Sequence, residues 1–143
     1  MAILRVLTGL LMALILAGTT RAQTVETLDS FDTLTPWSAD ASTDVSSAIT
    51  AVSGHDSRAM RLTYDFNGRS GYAFAARAID LNVQDNYEIS FWLRGAMRPN
   101  TLEVKFVDAS GENVHWRRVE RFEATGDWTR YTIKKRQIVR AWG

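Results

Sequence analysis

The 143-residue chain contains no cysteine. Disulfides, thiol nucleophiles and cysteine-ligated zinc are therefore all excluded. Histidine is nearly absent too, and the two present, His55 and His115, stand far apart with no ligand-spaced partner. A histidine metal centre does not fit that spacing. There is no Gly-x-Ser-x-Gly nucleophile elbow and no glycine-rich phosphate loop ahead of a helix. Only two prolines interrupt the chain. Helical periodicity is scarce, and beyond the N-terminus no long apolar run occurs.

That N-terminal run is itself informative. Arg5 supplies an early positive charge, Val6 to Gly18 is uncharged and mostly apolar, and Thr20-Arg21-Ala22 is a small-residue exit. This is the build of a secretory signal peptide. The run, at about 13 residues, is short for a membrane span; an uncleaved anchor is the alternative. The expectation is a signal-peptide helix over residues 1–22 and one domain over residues 23–143, secreted or periplasmic and without membrane contact after cleavage. A secreted domain with no bridges points to a bacterial periplasm or medium. The chain stops at Ala141-Trp142-Gly143 within a folded-looking region, which predicts a fragment.

The whole chain carries a net charge of +1, and the leader holds two arginines and no acid, leaving the remainder near −1. The charge is unevenly placed. Glu26, Asp29, Asp32, Asp40, Asp44 and Asp56 precede Arg58, whereas Arg117, Arg118, Arg121, Arg130, Lys134, Lys135, Arg136 and Arg140 crowd the last third. A basic third suits nucleic acid or another polyanion. The near-zero total favours instead that the two ends neutralise one another, with no nucleic-acid partner.

Period-two alternation fills the region after the leader. Met60, Leu62, Tyr64 and Phe66 alternate with polar residues, as do Tyr87, Ile89, Phe91 and Leu93, and then Leu102, Val104 and Phe106. Tyr72 to Leu81, Val114 to Phe122 and Trp128 to Lys135 read as further strands, with shorter ones at Leu28 to Phe31 and Ala48 to Val52. Asn67-Gly68-Arg69-Ser70-Gly71 and Asp108-Ala109-Ser110-Gly111-Glu112-Asn113 are turns. Ser38 to Ser47 is small and polar and reads as a loop. Roughly seven short strands separated by turn clusters predict an all-β antiparallel sandwich or barrel.

Burying Ile89, Phe91 and Leu93 turns Trp92 and Arg94 outward, and burying Leu102, Val104 and Phe106 turns out Glu103 and Lys105. If these strands pair as a hairpin, all four share one face. An aromatic plate beside charged hydrogen-bonding groups suits a sugar, whose C–H face packs on a ring while its hydroxyls find donors and acceptors. The alternative is a tryptophan lying under a loop beside surface ion pairs. On the 114–122 strand either Trp116 or His115 faces the ligand; periodicity leaves this open. Tyr72 and Arg77 are further candidates. Trp37, Trp128 and Trp142 are assigned to the core or its rim, and His55 to a solvated turn. Glu88 and Glu103 pair with Arg94 and Lys105 rather than forming a hydrolytic carboxylate pair, so no catalysis is expected.

Leu28-Asp29-Ser30-Phe31-Asp32 with Trp37, the run Asn67 to Tyr72, Asn86 to Gly95, Leu102 to Asp108, Gly111 to Trp116 and Ile133 to Gly143 together form an ordered series. It resembles the galactose-binding-like jelly rolls of secreted bacterial proteins, of the discoidin or coagulation factor 5/8 type C kind, close to carbohydrate-binding modules. The resemblance spans Leu28 to Gly143. It implies a jelly-roll β-sandwich that binds carbohydrate without catalysis and is often joined to a glycoside hydrolase. It also implies closing strands beyond Gly143 and a structural calcium, toward which Asp32 and Asp29 would contribute. The function expected is polysaccharide binding through Trp92, Arg94, Glu103, Lys105, His115, Trp116, Tyr72 and Arg77. A structural or protein-interaction domain, or an accessory piece of a hydrolase, is the alternative.

Overall fold

A computed structural model describes residues 24–83 and 85–143. The proposed leader lies outside the described residues. Nine strands follow in order: β1 (Ser38–Ala41), β2 (Ser46–Ser53), β3 (Arg58–Asp65), β4 (Ala73–Ala76), β5 (Glu88–Leu93), β6 (Asn100–Val107), β7 (Val114–Phe122), β8 (Thr129–Lys134) and β9 (Val139–Trp142). A 3₁₀ turn, Lys135–Gln137, precedes β9. The chain is all-β among the described residues, and every pairing is antiparallel: β1 with β4, β2 with β3, β5 with β8, and β6-β7-β9.

The turns follow from their residues. Asn67 and Gly68 both take positive φ, and the Arg69 amide donates to the Phe66 carbonyl at 2.8 Å. Two left-handed residues in succession suit Asn-Gly. Between β6 and β7, Asp108 accepts from the Ser110 hydroxyl at 2.6 Å and from the Asn113 carboxamide at 2.6 Å, and Gly111 takes the φ of 79° that closes the turn.

Several expectations are corrected. Leu28–Phe31 is not a strand: Asp29 accepts the Phe31 amide, and Phe31 adopts φ 58°. Ser38–Ser47 is not a loop, because it holds β1 and the start of β2. Backbone pairing with Ala73–Ala76 overrides the low strand preference of Ser-Ala-Asp-Ala. The strand expected over Tyr72 to Leu81 is confined to β4. The β5–β6 hairpin does not form: β5 pairs with β8, placing Trp92 opposite Arg130, while β6 pairs with β7.

The core is small. Ile89 opposite Ile133 and Phe91 opposite Tyr131 form one side of the β5–β8 ladder. Phe122, at the end of β7, meets Tyr131 edge-on at 5.3 Å. Val114, Phe122, Ala124 and Ile133 are the buried apolar residues. The Gly95 amide donates to the Thr125 carbonyl at 2.8 Å, and a Cβ at Gly95 would approach that of Ala124 to 3.0 Å. β7 carries a bulge before Phe122, with Arg121 at φ 53° absorbing the extra residue.

Truncating Phe122 to Ala removes the ring that joins β7 to β8. Unfolding in urea should show a loss of about 3 kcal/mol, as for other buried aromatic truncations. A loss under about 1 kcal/mol would show that Phe122 does not seal the core.

The Ser110 hydroxyl first, and then the Asn113 carboxamide, hold the Asp108 carboxyl down to about 2, from an ordinary 3.8. Its contribution is full above the unfolded value and disappears as pH falls through about 2. Melting temperature should therefore fall more steeply between about pH 4 and pH 2 in the wild type than in Asp108→Asn. Parallel curves would show that the turn does not sense this proton.

Candidate functional site

Cross-strand partners share a face, so the registers of β6, β7 and β9 assign every side chain. On the front face Glu103 lies opposite Arg118, Lys105 opposite Trp116, and Val107 opposite Val114. Trp142 lies opposite Val114, and Val139 opposite Trp116. The same face of β9 thus carries residues three apart, because the register shift between Val114 and His115 leaves Ala141 as an extra residue.

Trp116 and Trp142 meet edge-on, with centroids 5.7 Å apart. The Lys105 ammonium lies 5.4 Å from the Trp116 ring and 5.3 Å from the Trp142 ring. Glu103 holds Lys105 at 2.9 Å and Arg118 at 3.6 Å, and Arg118 also reaches Glu120 at 3.5 Å. Arg118 lies 5.7 Å from the Trp116 centroid. Trp142 is 50% exposed, and Val107 and Val139 beside it are more open still. The result is a pair of indoles with the Lys105 ammonium over both rings, and the Arg118 guanidinium and Glu103 carboxylate beside them.

Of the expected site residues, this face unites Glu103, Lys105 and Trp116. Of the two alternating sets on β7, the one with Trp116 shares the face of Glu103 and Lys105. His115 falls on the back face, opposite Phe106 and Arg140. Trp92 and Arg94 belong to a second cluster. The His55 ring stacks on Trp92 at 3.8 Å and 8°, and meets Trp128 edge-on at 6.4 Å. Arg94 lies 4.8 Å over Trp128. His55 stays exposed in its turn, as expected, while one face of its ring packs on an indole and Asp56 lies 2.8 Å from Nδ1. Trp92 remains 43% exposed, but one of its two faces is taken.

Tyr72 and Phe74 form an exposed pair 6.0 Å apart on the edge of β4. Arg77 is bonded to Asp29 and lies 5.9 Å from the Trp37 centroid, which gives it a bracing role at the N-terminal segment. Burial alone would raise the Asp29 carboxyl. The Phe31 amide, the Trp37 indole N–H and Arg77 outweigh it and hold the carboxyl below its ordinary value. Donors therefore surround Asp29, and Asp32 accepts from the Ser30 hydroxyl at 2.8 Å. No group of three acidic or histidine side chains arranged for a metal occurs among the described residues.

Two residues of this face are not among the candidates the sequence singles out. The sequence places Trp142 in the core or its rim, and it places Arg118 in the same alternating set as Trp116 without choosing that set. Arg118 was discoverable, since it alternates with Trp116. Trp142 was not, because the bulge at Ala141 changes its phase. Glu88 lies opposite Lys134 rather than pairing with Arg94, whereas Glu103 does pair with Lys105.

Comparison with protein families, characterised proteins and solved structures finds no match.

Replacing His55 with Ala should uncover Trp92. Iodide should then quench tryptophan emission more strongly, and stability should fall by about 0.5–1.5 kcal/mol, the worth of an aromatic pair. Unchanged quenching would show that the stack does not form in solution.

Proposed function

We propose that the chain is a non-catalytic carbohydrate-binding domain, secreted behind its leader, whose strands form a jelly-roll sandwich of the galactose-binding-like kind. The reading rests chiefly on one observation: a half-exposed Trp142 set edge-on to Trp116 beside the Glu103–Lys105–Arg118 array. A pyranose C–H face packs on the Trp142 indole. The ring hydroxyls then reach the Lys105 ammonium and Arg118 guanidinium as donors and the Glu103 carboxylate as acceptor. Because Glu103 already holds both cations in place, these groups lose little freedom on binding. The face is shallow, so affinity falls at about millimolar to micromolar.

This moves the sugar plate from Trp92 to Trp142. Trp142→Ala should abolish retardation of the protein in gels containing neutral polysaccharides, while shifting stability by no more than about 1 kcal/mol. Trp92→Ala should retain binding. The reverse pattern would place the plate on β5. Loss of no binding in either variant, or retardation by no polysaccharide in a broad panel, would remove the carbohydrate reading in favour of a protein-interaction domain.

A further inference from the structure

Two cations and two carboxylates meet on the front face of β6-β7-β9, and their charges cancel. Glu103 holds the Lys105 ammonium at 2.9 Å and stands 3.6 Å from Arg118, which Glu120 approaches to 3.5 Å. Glu103 lies directly opposite Arg118 in the ladder, so one carboxylate serves cations from both strands. The positive charge of Arg118, in the basic C-terminal third, is thus offset within its own sheet. Among the described residues no ion pair joins that third to the acidic N-terminal third, whose pairs are local, Asp29 with Arg77 and Asp56 with His55. The expected neutralisation of one end of the chain by the other is thereby corrected.

Cancelling a charge does not use up its hydrogen-bond donors. A close N–H···O bond to a carboxylate runs at about 2.7–2.9 Å. Both Arg118 contacts, at 3.5 and 3.6 Å, are longer than that. The guanidinium therefore keeps donors for a ligand while two carboxylates offset its charge. Lys105 has three N–H donors and commits one to Glu103. A sugar hydroxyl accepts from such groups and brings no charge. A uronate carboxylate brings a negative charge that meets Glu103 and Glu120 together with the cations. Glu103 weighs more than Glu120 in that encounter. It touches both cations, and its side chain is 28% exposed against 73%, so water screens it less.

We propose that Glu103 is the specificity-determining residue of the front face, and that through it the face takes neutral glycans and refuses uronate-bearing ones. The inference rests on the carbohydrate reading of that face and narrows it to a ligand class. Removing the Glu103 charge leaves Lys105 and Arg118 with Glu120 alone, a net positive charge beside the Trp116 and Trp142 indoles. The same surface then accepts a carboxylate. The expected consequence of Glu103→Gln is a changed preference, with the aromatic plate intact.

The test uses affinity gels of two matched pairs, hydroxyethyl cellulose with carboxymethyl cellulose, and fully methyl-esterified with de-esterified polygalacturonate. Four proteins are compared: wild type, Glu103→Gln, Glu120→Gln, and Glu88→Gln, which makes the same change in net charge on the β5–β8 sheet. The wild type should bind the neutral member of a pair more tightly than the acidic one by about fivefold, the factor that one unit charge at 4 Å supplies in water. Glu103→Gln should gain about fivefold on the acidic member, and added salt should erase that gain. Glu88→Gln should behave as the wild type. If Glu103→Gln melts lower, Glu120→Gln, at a more exposed position, carries the same comparison with a smaller gain. Equal or stronger binding of the acidic member by the wild type overturns the proposal and leaves the carbohydrate reading standing. So does wild-type selectivity in both front-face variants, or an equal gain in Glu88→Gln. Retardation of the wild type by none of these polymers overturns the proposal and counts against the carbohydrate reading as well.

Discussion

The edge-on contact between Phe122 and Tyr131 joins the three-stranded sheet to the β5–β8 ladder. Two-stranded antiparallel ladders are marginal in water by themselves, and three of the four sheets here are of that kind. β7 brings Phe122 past its bulge onto the ring of Tyr131, Phe91 stacks on that tyrosine at 6.0 Å, and Ile133, two residues on, is buried. The Gly95–Thr125 and Lys135–Tyr87 backbone bonds then extend the β5–β8 ladder at its two ends. The β2–β3 hairpin joins through a different device, the His55–Trp92 stack and the Tyr64 hydroxyl against Met97.

The two faces of β6-β7-β9 differ in their chemistry. The back face runs from the buried Phe122 to Phe106, His115 and Arg140. The front face buries Val114 at one end and pairs its charges internally. Glu103 is the pivot there, since it neutralises cations from two strands at once. One sheet therefore offers two chemically distinct surfaces, an aromatic one of balanced charge and a cationic one beside an apolar wall.

Much of this was legible in the sequence where alternation was strong. Ile89, Phe91 and Leu93 point inward together, and Glu103 and Lys105 point outward, because a period of two fixes the face once one residue is placed. β7 spans the predicted residues. The all-β class followed from the same pattern and the turn residues Asn67-Gly68 and Asp108 to Asn113. Pairing partners were not legible: the choice between β6 and β8 as the neighbour of β5 depends on long-range packing that local pattern does not encode. β1 was hidden because alanine, serine and aspartate give no strand signal. Trp142 was hidden by a single inserted residue, and the stack of the exposed His55 on Trp92 was hidden because the two are distant in sequence. The separation of His115 from Trp116 was implicit in adjacency on a strand, yet their faces needed a cross-strand neighbour to be assigned.

The bulge at Ala141 has one more effect, on solubility. Among the described residues β9 lies at one edge of its sheet, and a strand edge with exposed Val139 and Trp142 is a template onto which a second strand can add. The extra residue breaks the even spacing of hydrogen-bonding groups along β9, and Arg140 sets a charge in the middle of it. The strand thus carries its own gatekeeper against polymerisation. A deletion that straightened β9 would restore an unbroken ladder edge and invite fibrous self-association of the chain.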